Sequence, residues 1–251
     1  MVERHYFWVV GLVVSMFAAV ACSGSSSDGD TIIVFAASSL TDVFGQIEAE
    51  FEANNPGVDV IVSLGGSSSL REQIRAGAPV DVFASANEEI VASLADEGLL
   101  FGAATVFATN SLTIAVPAEN PGAVTSVGDL EREELLVGLC GAAVPCGELA
   151  LSALDSLNVE PSIDTNEPDV RALITKIELG ELDVGIVYET DVLASEFATA
   201  ISLGGEAFDT NYPIATLADA PNSNGAQDFV DFVVSAEGMS ILSSFGFGAS
   251  T

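Results

Sequence analysis

Two cysteines in the stretch "LCGAAVPCGELA", residues 139–150, are the first candidates for chemistry. Cys140 and Cys146 stand six positions apart, and a proline and a glycine flank the second one just before a predicted helix. Such a pair can ligate a metal, act as a redox couple or close a disulfide. The cell compartment decides among these three, and the N-terminus indicates the compartment.

Residues 1–21 have the pattern of an export signal. Arg4 and His5 precede an apolar run from Tyr6 to Ala21, which is shorter than the ~20 residues needed to span a bilayer. The run ends at Cys22 in "AVAC", which resembles a bacterial lipobox, whose cysteine is lipidated and becomes the mature N-terminus. Ordinary signal cleavage with Cys22 as a free thiol is the alternative. The Gly/Ser-rich residues 22–30 predict a flexible tether.

Export favours a disulfide between the two remaining cysteines. Exported proteins retain disulfides, and with Cys22 lipidated only Cys140 and Cys146 of the three cysteines are left. A structural metal site needs more ligands than two thiolates, and the one histidine, His5, lies in the signal. The chain also has no C-x-x-C redox motif.

Composition excludes one class of partner. The chain has 251 residues, 49% of them hydrophobic, which is enough for a core of one or two domains. Its 37 acidic and 6 basic residues give a net charge of −31, which argues against nucleic-acid binding. Such a surface is typical of a saline habitat, where salt screens self-repulsion.

Small and hydroxyl residues stand at four predicted strand-to-helix junctions. Helix N-termini carry unpaired N–H groups and partial positive charge, so several that converge can bind an anion without a cationic side chain. Serines there can also be simple N-caps. The second junction lacks the lysine of a P-loop, which excludes a nucleotide site. The junctions are residues 37–39, 65–69, 144–147 and 168–170, and Tyr188 ends a further predicted strand.

The elements that position these junctions alternate between short β-rich runs and amphipathic stretches. "TIIVFAASS" predicts a strand, and the following "LTDVFGQIEAEFEANNPG" has apolar residues at helical spacing. This alternation predicts an α/β fold with parallel sheets and ligands at the carboxyl ends of the strands. We expect two lobes, one comprising residues 31–112 and 213–251 and the other residues 113–212.

Motifs along the whole mature chain are similar to those of one transport family. "VFAASSLTDVF", "GGSSSLREQIRAGAPVDVFASA", "VPCG", "DVRALITKIELGELDVGIVYETDV" and the closing "FGF" resemble, in order and spacing, the substrate-binding proteins of molybdate ABC transporters. The resemblance implies a two-lobed, type II periplasmic-binding-protein fold that holds a bare tetrahedral oxyanion in its cleft. It also implies no catalysis, no cofactor, a membrane permease as partner and a monomer.

The resemblance places five anion contacts in this chain. Ser39 and Ser67 are expected to give hydroxyl and backbone N–H donors, Cys146 and Val170 backbone N–H donors, and Tyr188 its hydroxyl. Many relatives have alanine at the Cys146 position, so we expect the cysteine there to serve the disulfide, which would pin the turn and preorganise the site.

Donor chemistry narrows the choice of anion. All five contacts can donate and none is a carboxylate, so a fully deprotonated dianion fits better than hydrogen phosphate. The preference for molybdate or tungstate over sulfate rests on the resemblance. The alternatives are binding of sulfate, an organic anion or ferric iron, and an enzyme on the same fold. An organic acid usually requires an arginine, and Arg171 is expected to be a surface or inter-lobe residue.

Overall fold

The structure is a computed structural model that describes residues 31–205 and 207–249. The predicted signal peptide, the lipidation of Cys22 and the tether at 22–30 lie outside these residues. Within the described part of the chain, no helix is both long and apolar enough to cross a membrane.

Strands and helices alternate along the described chain, as the sequence predicts. The strands are β1 Thr31–Ala37, β2 Asp59–Gly65, β3 Val82–Ala84, β4 Thr105–Pro117, β5 Val137–Cys140, β6 Ile163–Glu167, β7 Val184–Tyr188, β8 Ala198–Ile201 and β9 Asp209–Thr216. The helices are α1 Thr41–Asn54, α2 Ser67–Arg75, α3 Glu88–Asp96, α4 Pro145–Leu157, α5 Val170–Glu178, α6 Glu189–Leu193, α7 Ser223–Val233 and α8 Ala236–Ser244, with 3-10 turns at Ser38–Leu40 and Val127–Glu131.

The strands form one continuous hydrogen-bonded order that runs through both lobes. The order is β2-β1-β3-β9-β4-β7-β5-β6, with β8 paired to β4. The β1–β2, β1–β3, β5–β6 and β5–β7 pairs are parallel, whereas every described pair made by β4 or β9 is antiparallel. The sheets are therefore mixed rather than purely parallel, because the chain returns between lobes along β4 and β9.

Strands β4 and β9 connect the two lobes. The first part of β4, Thr105–Ser111, pairs with β9, and its later residues pair with β7 and β8. The last residues of β9, Ile214–Thr216, pair with β3. The two lobes are thus connected by hydrogen-bonded strands.

Separate buried clusters fill the two lobes. The first lobe has a cluster under α1, α7 and α8, with Phe44 and Phe229 at its centre, and a smaller one under α2 and α3 around Phe83. The second lobe has its own cluster, which includes Ile186 and Leu173. Strand β7, "VGIVY", is buried at every position, as expected for a strand covered on both faces.

Candidate functional site

Parallel register brings the predicted junctions side by side. In the first lobe Ala37 at the end of β1 pairs with Gly65 at the end of β2, so Ser39 and Ser67 follow neighbouring strand ends. In the second lobe Cys140 at the end of β5 pairs with Glu167 at the end of β6. Since β7 also runs parallel to β5, all these carboxyl ends meet at the cleft between the lobes.

A small cavity in this cleft is lined by all five residues that the sequence singled out. Its volume, as the space open to the centre of a water-sized sphere, is about 10 Å³. Its lining residues are Ala37, Ser38, Ser39, Gly66, Ser67, Ala86, Val144, Pro145, Cys146, Val170 and Tyr188. Both lobes contribute to this lining, so the cavity exists only where they meet.

The first lobe contributes two buried serines, each already hydrogen-bonded on its protein side. The Ser67 hydroxyl oxygen accepts a hydrogen bond from the Ala86 backbone N–H at 3.1 Å. The Ser39 hydroxyl lies 2.9 Å from the hydroxyl of Tyr212, a fully buried side chain of β9. Ser67 is the first residue of α2, so its backbone N–H has no intrahelical acceptor.

The second lobe contributes the starts of two helices. Pro145 and Cys146 open α4, where proline costs no hydrogen bond because the first N–H groups lack helical acceptors. Val170 opens α5, and the preceding Asp169 caps that helix by accepting from Ala172 N–H at 2.9 Å. The backbone N–H groups of Cys146 and Val170 therefore belong to the positive ends of two helices.

The predicted disulfide joins Cys140 and Cys146, which confirms that expectation. Their Cα atoms are 5.8 Å apart, and the bond ties the end of β5 to the first turn of α4. Gly147 lies in the same turn, and a side chain there would collide with the carbonyl oxygens of Cys140 and Gly141. The turn that presents the Cys146 N–H is thus held both by a covalent bond and by close backbone packing.

Tyr188 ends β7 with its side chain buried, and its hydroxyl makes no hydrogen bond of good geometry among the described residues. Burial raises the pKa of Tyr188 well above its usual value, and Tyr212, Asp191 and Glu148 raise it further. The hydroxyl therefore stays protonated at neutral pH and is available as a donor to a ligand in the cavity that it lines.

Asp191 lies directly behind Tyr188 and is almost completely buried. Its carboxylate accepts from the Tyr188 backbone N–H at 3.1 Å. The pKa of Asp191 is raised to about 7, chiefly by burial; the Tyr188 hydrogen bond and Arg171 lower it, and the charges of Asp42 and Asp169 raise it. The group can therefore gain or lose a proton near neutral pH.

The cationic side chains are all paired outside the cavity. In residues 31–205 and 207–249, each arginine and the single lysine makes an ion pair with a carboxylate. Arg171 pairs with Asp42 of α1 across the cleft, so it is the inter-lobe residue that we expected. The cavity thus offers neutral donors and no cation.

Direct contacts hold the two lobes together around the cavity. The Ser68 hydroxyl donates to the Ala143 carbonyl, and the Asn87 amide donates to Glu148 at 3.3 Å. A Cβ on Gly66 would stand 2.8 Å from the Pro168 carbonyl oxygen and 3.5 Å from Val144. The close approach of the first lobe to both helix starts of the second lobe therefore requires glycine at position 66.

Several functional residues escaped the sequence analysis. Ala86 lines the cavity, and Tyr212, Asn110 and Asp191 stand behind it. Gly66 lies within the second predicted junction, residues 65–69, but its close approach to the other lobe was not predicted. Tyr212 and Asn110 lie on the connecting strands, where no local pattern distinguishes them from ordinary strand residues.

A two-lobed α/β fold with a cavity of converging donors between the lobes defines a binding protein for a small solute. Residues 32–248 match the family described as bacterial extracellular solute-binding proteins. The chain is 37% identical over 250 residues to the molybdate-binding protein ModA of Mycobacterium tuberculosis, covering 94% of this chain and 96% of that protein.

Two solved structures share the fold at lower identity. The periplasmic molybdate-binding protein of Azotobacter vinelandii has a TM-score of 0.78 at 19% identity, covering 88% of this chain and all of that one. The sulfate-binding protein SubI of Mycobacterium tuberculosis has the same TM-score at 20% identity, covering 86% of each chain. The chain belongs to the bacterial extracellular solute-binding protein family, whose members are binding proteins rather than enzymes.

Proposed function

We propose that this protein captures molybdate outside the cytoplasm and delivers it to the permease of an ABC transporter. One observation carries the proposal most strongly. Five residues that resemble the anion contacts of molybdate-binding proteins, and that lie far apart in sequence, surround a single inter-lobe cavity. The 37% identity to a molybdate-binding relative over nearly the whole chain supports the same ligand.

The donor set fits a fully deprotonated tetrahedral dianion. In this proposal Ser39 and Ser67 donate from the first lobe, and Cys146, Val170 and Tyr188 donate from the second. Hydroxyl and N–H donors on both sides match an anion whose oxygens only accept. Tungstate has the same shape and nearly the same size as molybdate, so we propose that it binds as well.

Sulfate is the second candidate, and the likeness to the sulfate-binding protein SubI is the observation that favours it. Both structural relatives have the same TM-score, so the fold does not separate the two ligands. Size can separate them, because the shorter bonds of sulfate would leave some donors unpaired. An unpaired buried donor costs about 1–3 kcal/mol.

Calorimetric titration of the mature protein with molybdate, tungstate, sulfate and hydrogen phosphate tests the proposal. We expect comparable tight binding of molybdate and tungstate, with sulfate weaker by at least about tenfold, since one or two unpaired donors cost that much. Sulfate binding as tightly as molybdate would make the protein a sulfate carrier. No heat with any of the four anions would overturn the assignment of the cleft.

The cellular setting follows from the N-terminal sequence. We propose that residues 1–21 are removed, that Cys22 carries lipid and that residues 22–30 tether a monomer to the outer face of the cell membrane. In this arrangement residues 31–112 and 213–251 form one lobe and residues 113–212 the other, and the two close on the ligand. Mass spectrometry of the membrane fraction tests the lipid, since a Cys22→Ser variant should be released in soluble form.

A further inference from the structure

Hydroxyl groups are ambivalent, because each can donate or accept a hydrogen bond. A cavity lined by serines therefore excludes proton-bearing anions only if something fixes the direction in which the hydroxyl hydrogens point. For Ser67 a partner on the protein side already takes one lone pair. The Ala86 N–H occupies its oxygen from the protein side, so the Ser67 hydrogen is free to point toward the cavity.

For Ser39 the direction is set by a chain of buried side chains on the two connecting strands. The Ser111 backbone N–H donates to Asn110 Oδ1 at 3.0 Å, which turns the amide nitrogen of Asn110 the other way. That nitrogen lies 2.7 Å from Thr190 Oγ1 and 3.4 Å from the Tyr212 hydroxyl. An amide nitrogen only donates, so both of these oxygens accept from it.

The Tyr212 hydroxyl must then send its own hydrogen elsewhere. Ser39 Oγ lies 2.9 Å from the Tyr212 hydroxyl oxygen. The Tyr188 hydroxyl also lies near Tyr212 but makes no hydrogen bond of good geometry with it, so Ser39 is the better-placed acceptor. Burial raises the pKa of Tyr212, so this hydrogen is present at neutral pH. Once Ser39 accepts from Tyr212, the remaining Ser39 hydrogen is the one presented to the cavity.

Resting on the proposed function, we infer that Tyr212, oriented by Asn110, is a positioning residue that makes Ser39 a donor toward the ligand and so discriminates against proton-bearing oxyanions. A ligand such as hydrogen phosphate must donate its proton to some acceptor in the site. Ser39 and Ser67 each already accept a hydrogen bond from behind, so either oxygen could accept that proton only through its second lone pair, with its own hydrogen turned away from the ligand. The residues that set the specificity of the cavity thus lie on the connecting strands β4 and β9, behind the residues that would contact the ligand.

A double-mutant cycle with two ligands tests this inference. We expect Tyr212→Phe to lower the ratio of molybdate to hydrogen phosphate affinity by about tenfold, because Ser39 can then accept the phosphate proton. Ser39→Ala should weaken molybdate binding on its own. In the Ser39→Ala background, Tyr212→Phe should leave the affinity ratio unchanged, since the phenol acts only through Ser39.

A matched control and a second variant guard against a merely structural effect. Thr190→Val removes another buried partner of the same Asn110 amide but leaves the Tyr212–Ser39 contact, so the affinity ratio should not change. Asn110→Asp replaces the amide donor by a carboxylate acceptor. Tyr212 should then donate to that carboxylate and accept from Ser39, which lowers the ratio of molybdate to hydrogen phosphate affinity further. Molybdate and hydrogen phosphate are both dianions at about pH 8. The new carboxylate therefore repels both alike, and this repulsion largely cancels in the affinity ratio.

The outcomes separate this inference from the proposed function. If Ser39→Ala binds molybdate like the unaltered protein, the assignment of the cavity is wrong. If Ser39→Ala weakens binding but Tyr212→Phe leaves the ratio intact, or if the two substitutions change it additively, the positioning role is refuted while the site stands. If Tyr212→Phe does not fold, the ratio measured with Asn110→Asp decides the question alone.

Discussion

The two walls of the cavity present hydrogen-bond donors by different means. The wall from the first lobe uses side-chain hydroxyls, those of Ser39 and Ser67, each held from behind by a second buried group. The wall from the second lobe uses backbone N–H groups of Cys146 and Val170 at helix starts, held by a disulfide and by a capping aspartate. Tyr188 adds one hydroxyl to this second wall.

This difference shows where substitutions should matter. A hydroxyl donor disappears when its side chain is truncated, whereas a backbone donor survives any substitution that keeps the turn in place. The first wall should therefore be sensitive to side-chain identity and the second to backbone geometry. The variants below test that contrast, beginning with the largest expected effect.

Preventing the two walls from meeting should have the largest effect. In Gly66→Ala the new methyl group would press on the Pro168 carbonyl, which belongs to the backbone and cannot rotate away. We expect the affinity for molybdate to fall by about a hundredfold or more, since several donors of the second lobe are lost together.

Folding should not suffer in Gly66→Ala, because φ −61° and ψ 129° suit any residue. Gly45→Ala is the matched control, as a Cβ there meets nothing within 4 Å. Calorimetry gives the affinities and thermal unfolding gives the stabilities. Unchanged molybdate affinity in Gly66→Ala would mean that binding does not require this approach of the lobes.

Comparing one residue from each wall tests the contrast directly. Ser67→Ala should weaken molybdate binding by about 1–3 kcal/mol, because it removes a donor to a charged ligand and leaves the Ala86 N–H unpaired. Val170→Ala should keep its backbone donor and bind within about threefold of the unaltered protein, although loss of buried volume lowers its melting temperature. The reverse ranking of the two affinities would contradict the division into side-chain and backbone donors.

The buried carboxyl behind the second wall should make binding pH-dependent. Asp191 faces Arg171, Asp42, Asp169 and the Tyr188 backbone, and its pKa is raised to about 7. As the pH rises through about 7 the group becomes charged and repels the dianion. We expect affinity to drop about fivefold across this range, the scale of a partly screened interaction of ~1 kcal/mol.

The same titration should appear in folding stability. A raised native pKa means that the protonated group contributes stability fully below about pH 4, and that this contribution is lost as the pH rises through about 7. Asp191→Asn should flatten both profiles while keeping an acceptor for Tyr188 N–H. The exposed Glu189→Gln is the control, and the pH dependence should persist in it.

Loosening the turn of the second wall should have the smallest effect on binding. A Cys140→Ser/Cys146→Ser variant retains the Cys146 N–H and the packing around Gly147, so we expect molybdate affinity to fall only a few-fold. Unfolding free energy should fall by about 2 kcal/mol, because the closed loop is short. Peptide mapping of the unaltered protein should show the bridge, and two free thiols in exported material would contradict this account.

The local elements and the disulfide could be predicted from the amino-acid sequence. Alternating apolar patterns and helix starts predicted the α/β class, which is confirmed. The export signal, with only two cysteines left after lipidation of Cys22, predicted the Cys140–Cys146 disulfide, which is also confirmed. These features depend on neighbours within a few positions, so they are visible in a linear pattern. The five anion contacts came from a family resemblance carried by short motifs, and they stay a prediction until binding is measured.

The residues that stand behind and between the cavity-lining residues could not be predicted, because long-range packing places them there. The Tyr212–Ser39 contact joins positions 173 apart in sequence, and the Arg171–Asp42 pair joins positions 129 apart, so no local pattern announces them. The steric requirement for glycine at position 66 likewise depends on a carbonyl from the other lobe. Hydrogen-bond direction, burial and the raised pKa of Asp191 arise from packing of distant segments, and a single sequence read along its length does not contain that packing.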